Sequence, residues 1–219
     1  ATTFDPIWQQ KYREGLRSRY PWDIVVSFVF RNAPAGVPAE AVRILEVGCG
    51  TGSNLWFAAR EGFRVTGVDA TADGLEGAFV VADFSDPLPA PSDHFDLAID
   101  RGSITCTGFS AARRCLREIR RCLKPGGRLL FNPYSRAHTS YAAGVPAPDR
   151  LVRDIRRGTM VGVGQLCFYS EDMVREALSD GWVIESLSHT ETRTLPGPSE
   201  EPDVHAEWRV VARRADAAA

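Results

Sequence analysis

The sequence lacks the features that define several large classes of protein. Its 26 Lys and Arg residues are fewer than its 28 Asp and Glu residues. The resulting net charge of −2 argues against a nucleic-acid clamp, which needs a surplus of cations. No apolar run approaches the ~20 residues that a membrane-spanning helix requires. We therefore expect a small or neutral partner, and neither a nucleic acid nor a membrane.

Cysteine usage excludes two further classes. The five cysteines are odd in number and no pair has Cys-x-x-Cys spacing, so neither a disulfide framework nor a zinc site is predicted. We expect reduced thiols, a cytoplasmic location and no bound metal. The 219 residues, 44% of them hydrophobic, suffice for one well-filled α/β domain that acts as a monomer or a homodimer.

What the sequence does contain is a glycine loop between two predicted strands. The apolar run Ile44–Val47 leads into Gly48, Gly50 and Gly52, then a helical segment, then a second apolar run that ends at Asp69. Glycine has no Cβ, so the chain can turn sharply and a ligand can lie against its peptide groups. A carboxylate about 20 residues on can accept hydrogen bonds from both hydroxyls of a ribose. The pattern predicts a βαβ unit that binds a nucleoside.

The glycine spacing separates two kinds of nucleotide site. A dinucleotide fold needs Gly-x-Gly-x-x-Gly for its pyrophosphate, and Ser53 stands where that third glycine belongs. The stretch Glu46–Gly52 instead resembles the first motif of class I S-adenosylmethionine-dependent methyltransferases. The resemblance implies S-adenosylmethionine as the cofactor, with Glu46, Cys49 and the loop glycines near its amino-acid tail. A tight turn after a strand is the alternative for this loop taken alone.

Further motifs lie at the intervals of the same family. Phe79–Asp83 is a predicted strand, and the resemblance implies that Asp83 accepts a hydrogen bond from the adenine amino group while the backbone of Phe84 meets the ring edge. Asp83 can alternatively stabilise the turn that follows. Ala70 departs from the larger apolar residue that often packs near the adenine in this family. Leu123–Gly127 resembles the Leu-Lys-Pro-Gly-Gly turn before the fifth strand of these enzymes.

The segment before the first strand is rich in aromatic residues. Trp8–Gly15 resembles the lead-in of small-molecule methyltransferases similar to thiopurine S-methyltransferase. The resemblance implies that Trp8 and Tyr12 fold over the cofactor, so residues 1–40 are predicted to form a helical lid. A helix that is merely anchored by its aromatic side chains is the equally weighted alternative.

A second segment resembles the same enzymes. Asp100–Ile104 arrives at the carboxyl edge of the sheet, and the resemblance implies that Arg101 faces the acceptor pocket, with Asp100 beside the cofactor. The alternative is an ion pair between Arg101 and Asp69, Asp83 or Asp100.

Residues 132–165 form a long connection that we predict to be a substrate-side insertion with a basic helix near Arg150–Arg157, since connections of this length are usually functional. A disordered insert is the alternative. His138 is the candidate general base because an imidazole titrates near neutrality, and Tyr134 is a candidate to orient the acceptor. A solvated loop histidine is the other interpretation of His138.

The elements expected from periodicity and turn signals place these motifs in one fold. The expected strands are Arg43–Val47, Arg64–Val68, Phe79–Asp83, Phe95–Asp100, Leu123–Phe131, Gly181–Leu187 and His205–Arg213. The expected helices are Asp23–Arg31, Ser53–Arg60 with Thr51 or Ser53 as its cap, Thr71–Ala78, Ser110–Leu123 and Ser170–Ser179.

These expectations describe one α/β domain over residues 1–219, a Rossmann-like fold with a mostly parallel seven-stranded sheet, an antiparallel terminal strand and helices on both faces. Residues 215–219 are expected to be disordered. The expected function is methyl transfer from S-adenosylmethionine to an O, N or S atom of a small-molecule acceptor. An NAD(P)-dependent oxidoreductase and a non-catalytic S-adenosylmethionine or nucleoside-binding protein stay open.

Overall fold

The computed structural model describes residues 5–15, 18–70, 79–83, 86–195 and 202–215. The predicted helix Thr71–Ala78, Phe84 and the tail residues 216–219 lie outside these ranges. Within them, the main sheet has the spatial order β3 (Phe79–Val81), β2 (Arg64–Asp69), β1 (Arg43–Val47), β4 (Phe95–Arg101), β5 (Leu123–Asn132), β10 (Asp203–Arg214) and β9 (Trp182–Thr194).

Strand directions match the predicted fold class. Neighbours are parallel from β3 through β5, whereas β10 runs antiparallel to both β5 and β9. The mostly parallel seven-stranded sheet with an antiparallel terminal strand is therefore confirmed. Both β9 and β10 extend beyond the predicted Gly181–Leu187 and His205–Arg213, and the N–H of Ala215 donates to the carbonyl of Gly181 at 3.0 Å.

Helices cover both faces of the sheet because each strand alternates its side chains between the faces. The helices are α1 (Ile7–Arg13), α2 (Asp23–Asn32), α3 (Ser53–Arg60), α4 (Phe109–Cys122), α5 (Thr139–Ala142) and α6 (Glu171–Ala177). On β1, Ile44 packs in a core cluster with α2 and α3, whereas Leu45 and Val47 pack in the cluster that includes α4 and α6. No helix in the described part of the chain is both long and apolar enough to span a membrane.

The helix after the glycine loop has the predicted bounds but not the predicted cap. The N-cap residue of α3 is Gly52, which has a left-handed φ of 77° and offers no side chain. Thr51 donates its hydroxyl to the carbonyl of Ser18 at 3.0 Å instead. The prediction of a Thr51 or Ser53 cap was wrong because the left-handed loop places glycine at the cap position.

The insertion forms a small sheet and not the basic helix expected near Arg150–Arg157. Its strands are β6 (Val145–Pro146), β7 (Leu151–Arg153) and β8 (Gln165–Cys167), paired antiparallel in that order. The helix prediction was wrong because three residues have a left-handed backbone, which interrupts a right-handed helix: Asp149 (φ 58°), Arg150 (φ 62°) and Asp154 (φ 50°).

The insertion has its own core and is tied to the main domain. Val152, Ile155, Met160, Leu166 and Phe168 form most of a buried cluster separate from the two clusters that flank the sheet. Ser135 continues the connection to the sheet, because its N–H donates to the carbonyl of Ala206 on β10 at 2.8 Å.

Asp149 fastens the insertion to the start of α4. Its carboxylate accepts the Ser110 N–H at 3.0 Å and the Ser110 hydroxyl at 2.8 Å, and its carbonyl accepts the N–H of Phe109. A carboxylate that caps a helix satisfies amides that have no partner within the helix. The cap therefore comes from a residue far along the chain.

We predict that Asp149→Ala lowers the free energy of unfolding by about 1–2 kcal/mol, because the cap is lost. Asp149→Asn should cost less, since its amide oxygen can still accept and asparagine tolerates a left-handed φ. Urea denaturation followed by circular dichroism measures both, with the exposed Asp172→Ala as the control. Equal stability of the Ala and Asn variants and the wild type would contradict this role.

Candidate active site

A pocket of about 570 Å³ lies at the edge of the sheet where β1, β2 and β4 end. Parallel strands bring their carboxyl ends to one edge, so the loops that follow them converge. The predicted site residues that line the pocket are Trp8, Tyr12, Glu46, Gly48, Cys49, Gly50, Asp69, Ala70, Asp83, Arg101 and Tyr134. Gly52, Asp100 and His138 are not among the lining residues.

The three glycines of the loop have left-handed backbone angles, and their amides are hydrogen-bonded within the fold. Gly48, Gly50 and Gly52 have φ values of 64°, 54° and 77°. The N–H of Gly50 donates to Oδ2 of Asp69 at 2.8 Å, and the N–H of Gly48 donates to the carbonyl of Val68 at 2.7 Å. The loop after β1 is thereby bonded to the end of β2.

Helix α1 lies against this loop. A Cβ built on Gly50 would lie 3.0 Å from the Tyr12 hydroxyl, so only a glycine leaves ordinary room for that ring. The ring centroids of Trp8 and Tyr12 are 6.3 Å apart, and both side chains line the pocket. The two aromatic residues form part of the pocket wall opposite the sheet edge.

Glu46 presents a half-satisfied carboxylate to the pocket. Its Oε1 accepts the Asn54 amide at 2.7 Å, whereas its Oε2 is buried and has no hydrogen-bond partner. Burial, reinforced by Asp100 and Asp69, raises the pKa of Glu46 to about 8 against the lowering effect of the Asn54 bond. An unpartnered carboxyl oxygen in a ligand pocket is suited to bind an N–H donor of the ligand.

Asp100 supports the site from behind the pocket. It is fully buried, and its Oδ1 accepts the N–H groups of Ser103 at 3.0 Å and Ile104 at 2.9 Å. Burial raises the pKa of Asp100 to about 6. The hydroxyl of Ser103 in turn donates to the carbonyl of Gly48 at 2.9 Å. Asp100 thus shapes the loop at Ser103, which supports the glycine loop. It does not line the pocket, contrary to the prediction that it lies beside the cofactor.

Arg101 does line the pocket, and it forms an ion pair with a partner that the sequence did not indicate. Its guanidinium lies 4.0 Å from the centroid of the Trp22 ring, and Nη2 is 3.6 Å from Oε2 of Glu207 on β10. The ion pair expected with Asp69, Asp83 or Asp100 is replaced by this one. Its Nε atom is buried without a hydrogen-bond partner.

Glu207 is a buried anion that lies between two arginines and a histidine. Its carboxylate is 3.0 Å from Nε of Arg209 and 3.7 Å from Nε2 of His205, in addition to Arg101. Burial opposes ionisation, but the neighbouring His205 and the charges of Arg101 and Arg209 outweigh it and lower the pKa of Glu207 to about 2. Glu207 is therefore a carboxylate throughout the physiological pH range.

His138 does not occupy the position expected of a general base. It is 1% exposed, lies outside the pocket lining and is the N-cap residue of α5, where its Nδ1 accepts the N–H of Ser140 at 3.0 Å. Burial, and then the nearby His205, lower the pKa of His138 to about 4. The structure agrees with neither interpretation of His138. It is not a base at the pocket or a solvated loop residue, but a buried, neutral N-cap.

The imidazole that does line the pocket belongs to His205. Thr159 and Met160 of the insertion lie in the same wall, together with Tyr134. The rings of Tyr134 and His205 meet edge to face at 5.6 Å, and burial raises the pKa of Tyr134 to about 12. Tyr134 therefore stays a neutral phenol that can offer a hydrogen bond.

Sequence reasoning missed several residues of the site, among them Asn54, Thr159, His205 and Glu207. The alternation of side chains along a strand could have related two of them. Residues two apart on a strand share a face, and His205 and Glu207 are two apart on β10. Asn54 lies in the first turn after the glycine loop, within reach of the strand residue Glu46. Nothing local in the sequence relates Thr159 to the pocket.

Comparison with known proteins agrees with this geometry. A family model described as "Methyltransferase domain" matches residues 45–131. The ubiquinone biosynthesis O-methyltransferase of Xylella fastidiosa is 28% identical over 195 residues, which cover 82% of this chain and 71% of the relative. The enzyme of that name from Cereibacter sphaeroides is 27% identical over 140 residues, 59% of this chain and 56% of the relative. The chain thus spans about half the length of several curated relatives it matches.

Solved structures show the same fold. A S-adenosylmethionine-dependent methyltransferase from Methanosarcina mazei aligns with a TM-score of 0.66 at 18% identity, covering 90% of this chain and 99% of that one. The 1,6-didemethyltoxoflavin-N1-methyltransferase of Burkholderia thailandensis, solved with S-adenosylhomocysteine, aligns at 0.58 and 19% identity, covering 95% and 86%.

The seven-stranded sheet and its glycine loop have the fold of class I S-adenosylmethionine-dependent methyltransferases, and residues 45–131 are similar to a methyltransferase domain. The local similarity of Trp8–Gly15 and Asp100–Ile104 to thiopurine S-methyltransferase is a minor part of that relationship.

We predict that buried His138 makes stability depend on pH. Its folded pKa of about 4 lies below the ordinary 6.5, so the unfolded chain takes up a proton that the folded state excludes. This contribution is fully present above pH 6.5 and is lost as pH falls toward 4, by about 2–3 kcal/mol. Urea denaturation at pH 7 and pH 4 should show a smaller loss for His138→Asn, whose amide oxygen can still accept the Ser140 bond.

His94→Gln serves as the control, because His94 lies in the turn before β4 and away from this cluster. It should lose as much stability on acidification as the wild type does. A His138→Asn variant with the full wild-type loss would show that the buried imidazole is not the group responsible.

Proposed function

We propose that the protein transfers the methyl group of S-adenosylmethionine to a small-molecule acceptor. The observation that carries the proposal is one pocket with carboxyl groups and the glycine loop at one end and Arg101, Tyr134 and His205 at the other. When bound, S-adenosylmethionine supplies an electrophilic methyl group on a positively charged sulfur. The residues of the chain bind it, hold the acceptor in line with it and exclude water.

The residues of the glycine-loop end fit this cofactor. Asp69 stands at the tip of β2, where its carboxylate can accept bonds from the ribose hydroxyls, and Asp83 lies beyond β3 on the side proposed for the adenine. The unpartnered Oε2 of Glu46 is suited to the ammonium group of the amino-acid tail. Cys49, Gly50 and the adjoining peptide groups complete the proposed cradle, and Ala70 is next to Asp69 in the pocket wall.

We propose that the N-terminal segment serves as the lid over this end. The position of Tyr12 on Gly50 and the presence of Trp8 and Trp22 in the pocket wall support it. The segment is bonded to the core, because the N–H of Trp22 donates to Oδ1 of Asn54 at 3.0 Å. Residues 132–165 are proposed as the acceptor-side insertion, since Tyr134, Thr159 and Met160 reach the other end of the pocket.

The two other functions are disfavoured on specific grounds. A NAD(P)-dependent oxidoreductase needs a glycine where Ser53 stands, so that a pyrophosphate can meet the helix amides. A sensor that only binds S-adenosylmethionine has no use for the polar groups that converge at the acceptor end. Oxygen is the acceptor atom we favour, because relatives of the chain are named O-methyltransferases.

We further propose a cytoplasmic enzyme that acts on a diffusible small molecule, as a monomer or homodimer. All five cysteines are free thiols, as expected in a reducing compartment. The net charge of −2 offers no cationic surplus for nucleic-acid phosphates.

We predict that S-adenosylmethionine and S-adenosylhomocysteine raise the melting temperature of the protein, whereas NAD and NADP do not. A ligand that binds only the folded state stabilises it by mass action, by about 2.7 kcal/mol at 100 times its dissociation constant. Differential scanning fluorimetry makes the comparison. Stabilisation by NAD or NADP alone would favour the oxidoreductase, and binding of S-adenosylmethionine without turnover of any hydroxylated acceptor would favour the sensor.

We predict that Asp69→Ala weakens S-adenosylhomocysteine binding by about 1.5–3 kcal/mol, because charge-assisted hydrogen bonds to the ribose and the Gly50 bond are lost. Isothermal titration calorimetry measures the loss, and Asp172→Ala on the exposed start of α6 is the control. An unchanged dissociation constant in a folded Asp69→Ala variant would remove Asp69 from the cofactor site.

A further inference from the structure

Three side chains meet in a triangle of hydrogen-bonding atoms at the acceptor end of the pocket. Nδ1 of His205 lies 3.2 Å from Oγ1 of Thr159 and 3.3 Å from Nε2 of His138, and those two atoms are 3.1 Å apart. His205 and Thr159 line the pocket, whereas His138 closes the triangle from the buried side. The pocket therefore reaches this triangle through Thr159 and His205.

The buried histidine determines where the protons of the triangle lie. Nδ1 of His138 accepts the Ser140 N–H, so the proton of the neutral ring is on Nε2 and points into the triangle. Because burial lowers the pKa of His138 to about 4, this ring stays neutral near pH 7. A neutral His138 is thus a fixed hydrogen-bond donor.

The other nitrogen of His205 faces a carboxylate. Its Nε2 lies 3.7 Å from Oε2 of Glu207, and Glu207 is ionised near pH 7. A carboxylate favours a protonated nitrogen at that position, which leaves the lone pair of the neutral ring on Nδ1. The lone pair then faces the Thr159 hydroxyl, and Glu207 is placed to stabilise the positive ring that forms when Nδ1 takes a proton.

Charged and titratable groups surround His205 from each element packed there. They are Arg101 on β4, Tyr134 after β5, His138 before α5, Arg157 in the insertion, and Asp203, Glu207 and Arg209 on β10. Among them, Asp203 pairs with Arg157 and Glu207 pairs with two arginines. No described carboxylate other than Glu207 has a recorded contact with the ring of His205.

The walls next to this triangle suit a flat hydroxylated ring. Tyr134 lines the pocket beside His205, and the Arg101 guanidinium, nine-tenths buried over Trp22, has an unpartnered Nε donor. Aromatic walls favour a planar acceptor, and a buried N–H donor favours an acceptor oxygen with developing negative charge. These features favour a planar acceptor that loses a proton, such as a phenol, over an aliphatic amine.

We propose that His205 is the catalytic base for methylation of a phenolic hydroxyl, with Thr159 as the proton relay and Glu207 as the positioning residue. This inference rests on the proposed function. The phenol O–H bond breaks and its proton passes to Oγ1 of Thr159, whose own proton passes to Nδ1 of His205. The phenol oxygen forms the O–CH₃ bond while the S–CH₃ bond breaks, and that electron pair remains on sulfur.

The test uses 4-nitrophenol, whose ionised form is coloured, on the full chain saturated with S-adenosylhomocysteine. The bound probe should absorb as phenolate at a pH where the free probe is largely neutral. Calorimetry in two buffers of different ionisation enthalpy should find no proton released to the buffer, because the proton stays on His205. This result requires no knowledge of the natural acceptor and no turnover.

Variants assign the proton to its acceptor. His205→Gln should lose the phenolate absorbance or release one proton to the buffer on binding, and Thr159→Val and Glu207→Gln should reduce the bound phenolate fraction. His94→Gln, outside the pocket, should bind the probe as the wild type does. If a variant fails to fold, the wild-type absorbance and proton count are read together, because only a phenolate bound without proton release supports the proposal and a neutral probe or a released proton overturns it.

The outcomes separate this proposal from the function on which it rests. Failure of S-adenosylhomocysteine to bind overturns the proposed function. Binding of S-adenosylhomocysteine with a probe that stays neutral, does not bind, or releases its proton to the buffer leaves the methyltransferase proposal standing and overturns the role of His205.

Discussion

The hydrogen bond from the Gly50 amide to the Asp69 carboxylate joins the two strand ends around which the site is built. At 2.8 Å it ties the loop after β1 to the tip of β2, and it forms because the glycines adopt left-handed backbone angles. Cys49 of the loop and Leu55 of α3 pack directly against Gly67 on β2. A Cβ on Gly67 would lie 2.6 Å from Leu55 and 2.7 Å from Cys49. Glycine is thus required both within the loop and beneath it.

The two ends of the pocket hold different charged groups. Asp69 and Asp83 lie at the glycine-loop end beside Glu46, whose raised pKa keeps it largely protonated near pH 7, whereas Arg101, its partner Glu207 and His205 lie at the other. A positively charged sulfonium is favoured near carboxylates, and an oxygen that loses its proton is favoured near a guanidinium and an imidazole. Under the proposed function, this separation orients the two ligands before any residue makes a specific contact.

The sequence predicted what local patterns encode. Strand alternation, helical periodicity and the glycine spacing gave the sheet and most of its helices, and α3 has its predicted bounds, because each of these signals lies within a few residues. Contacts between residues that are far apart in the sequence could not be predicted from local patterns. His138 and His205 are 67 residues apart in the sequence. Only the fold shows that His205, and not His138, lines the pocket. The same holds for Arg101 and Glu207, which come from different strands.

The site residues that the sequence predicted and those that it did not lie in different parts of the chain. The family match ends at residue 131, and the cofactor end of the pocket is built largely before that point. Tyr134, Thr159, His205 and Glu207 all come later in the chain, on the insertion and on β10. Most of the insertion packs around its own buried cluster, whereas Leu151 and Cys167 of its small sheet join the cluster on the α4 side of the main sheet. Under the proposed function, the matched region supplies most of the cofactor end, whereas the choice of acceptor depends on residues that come after it.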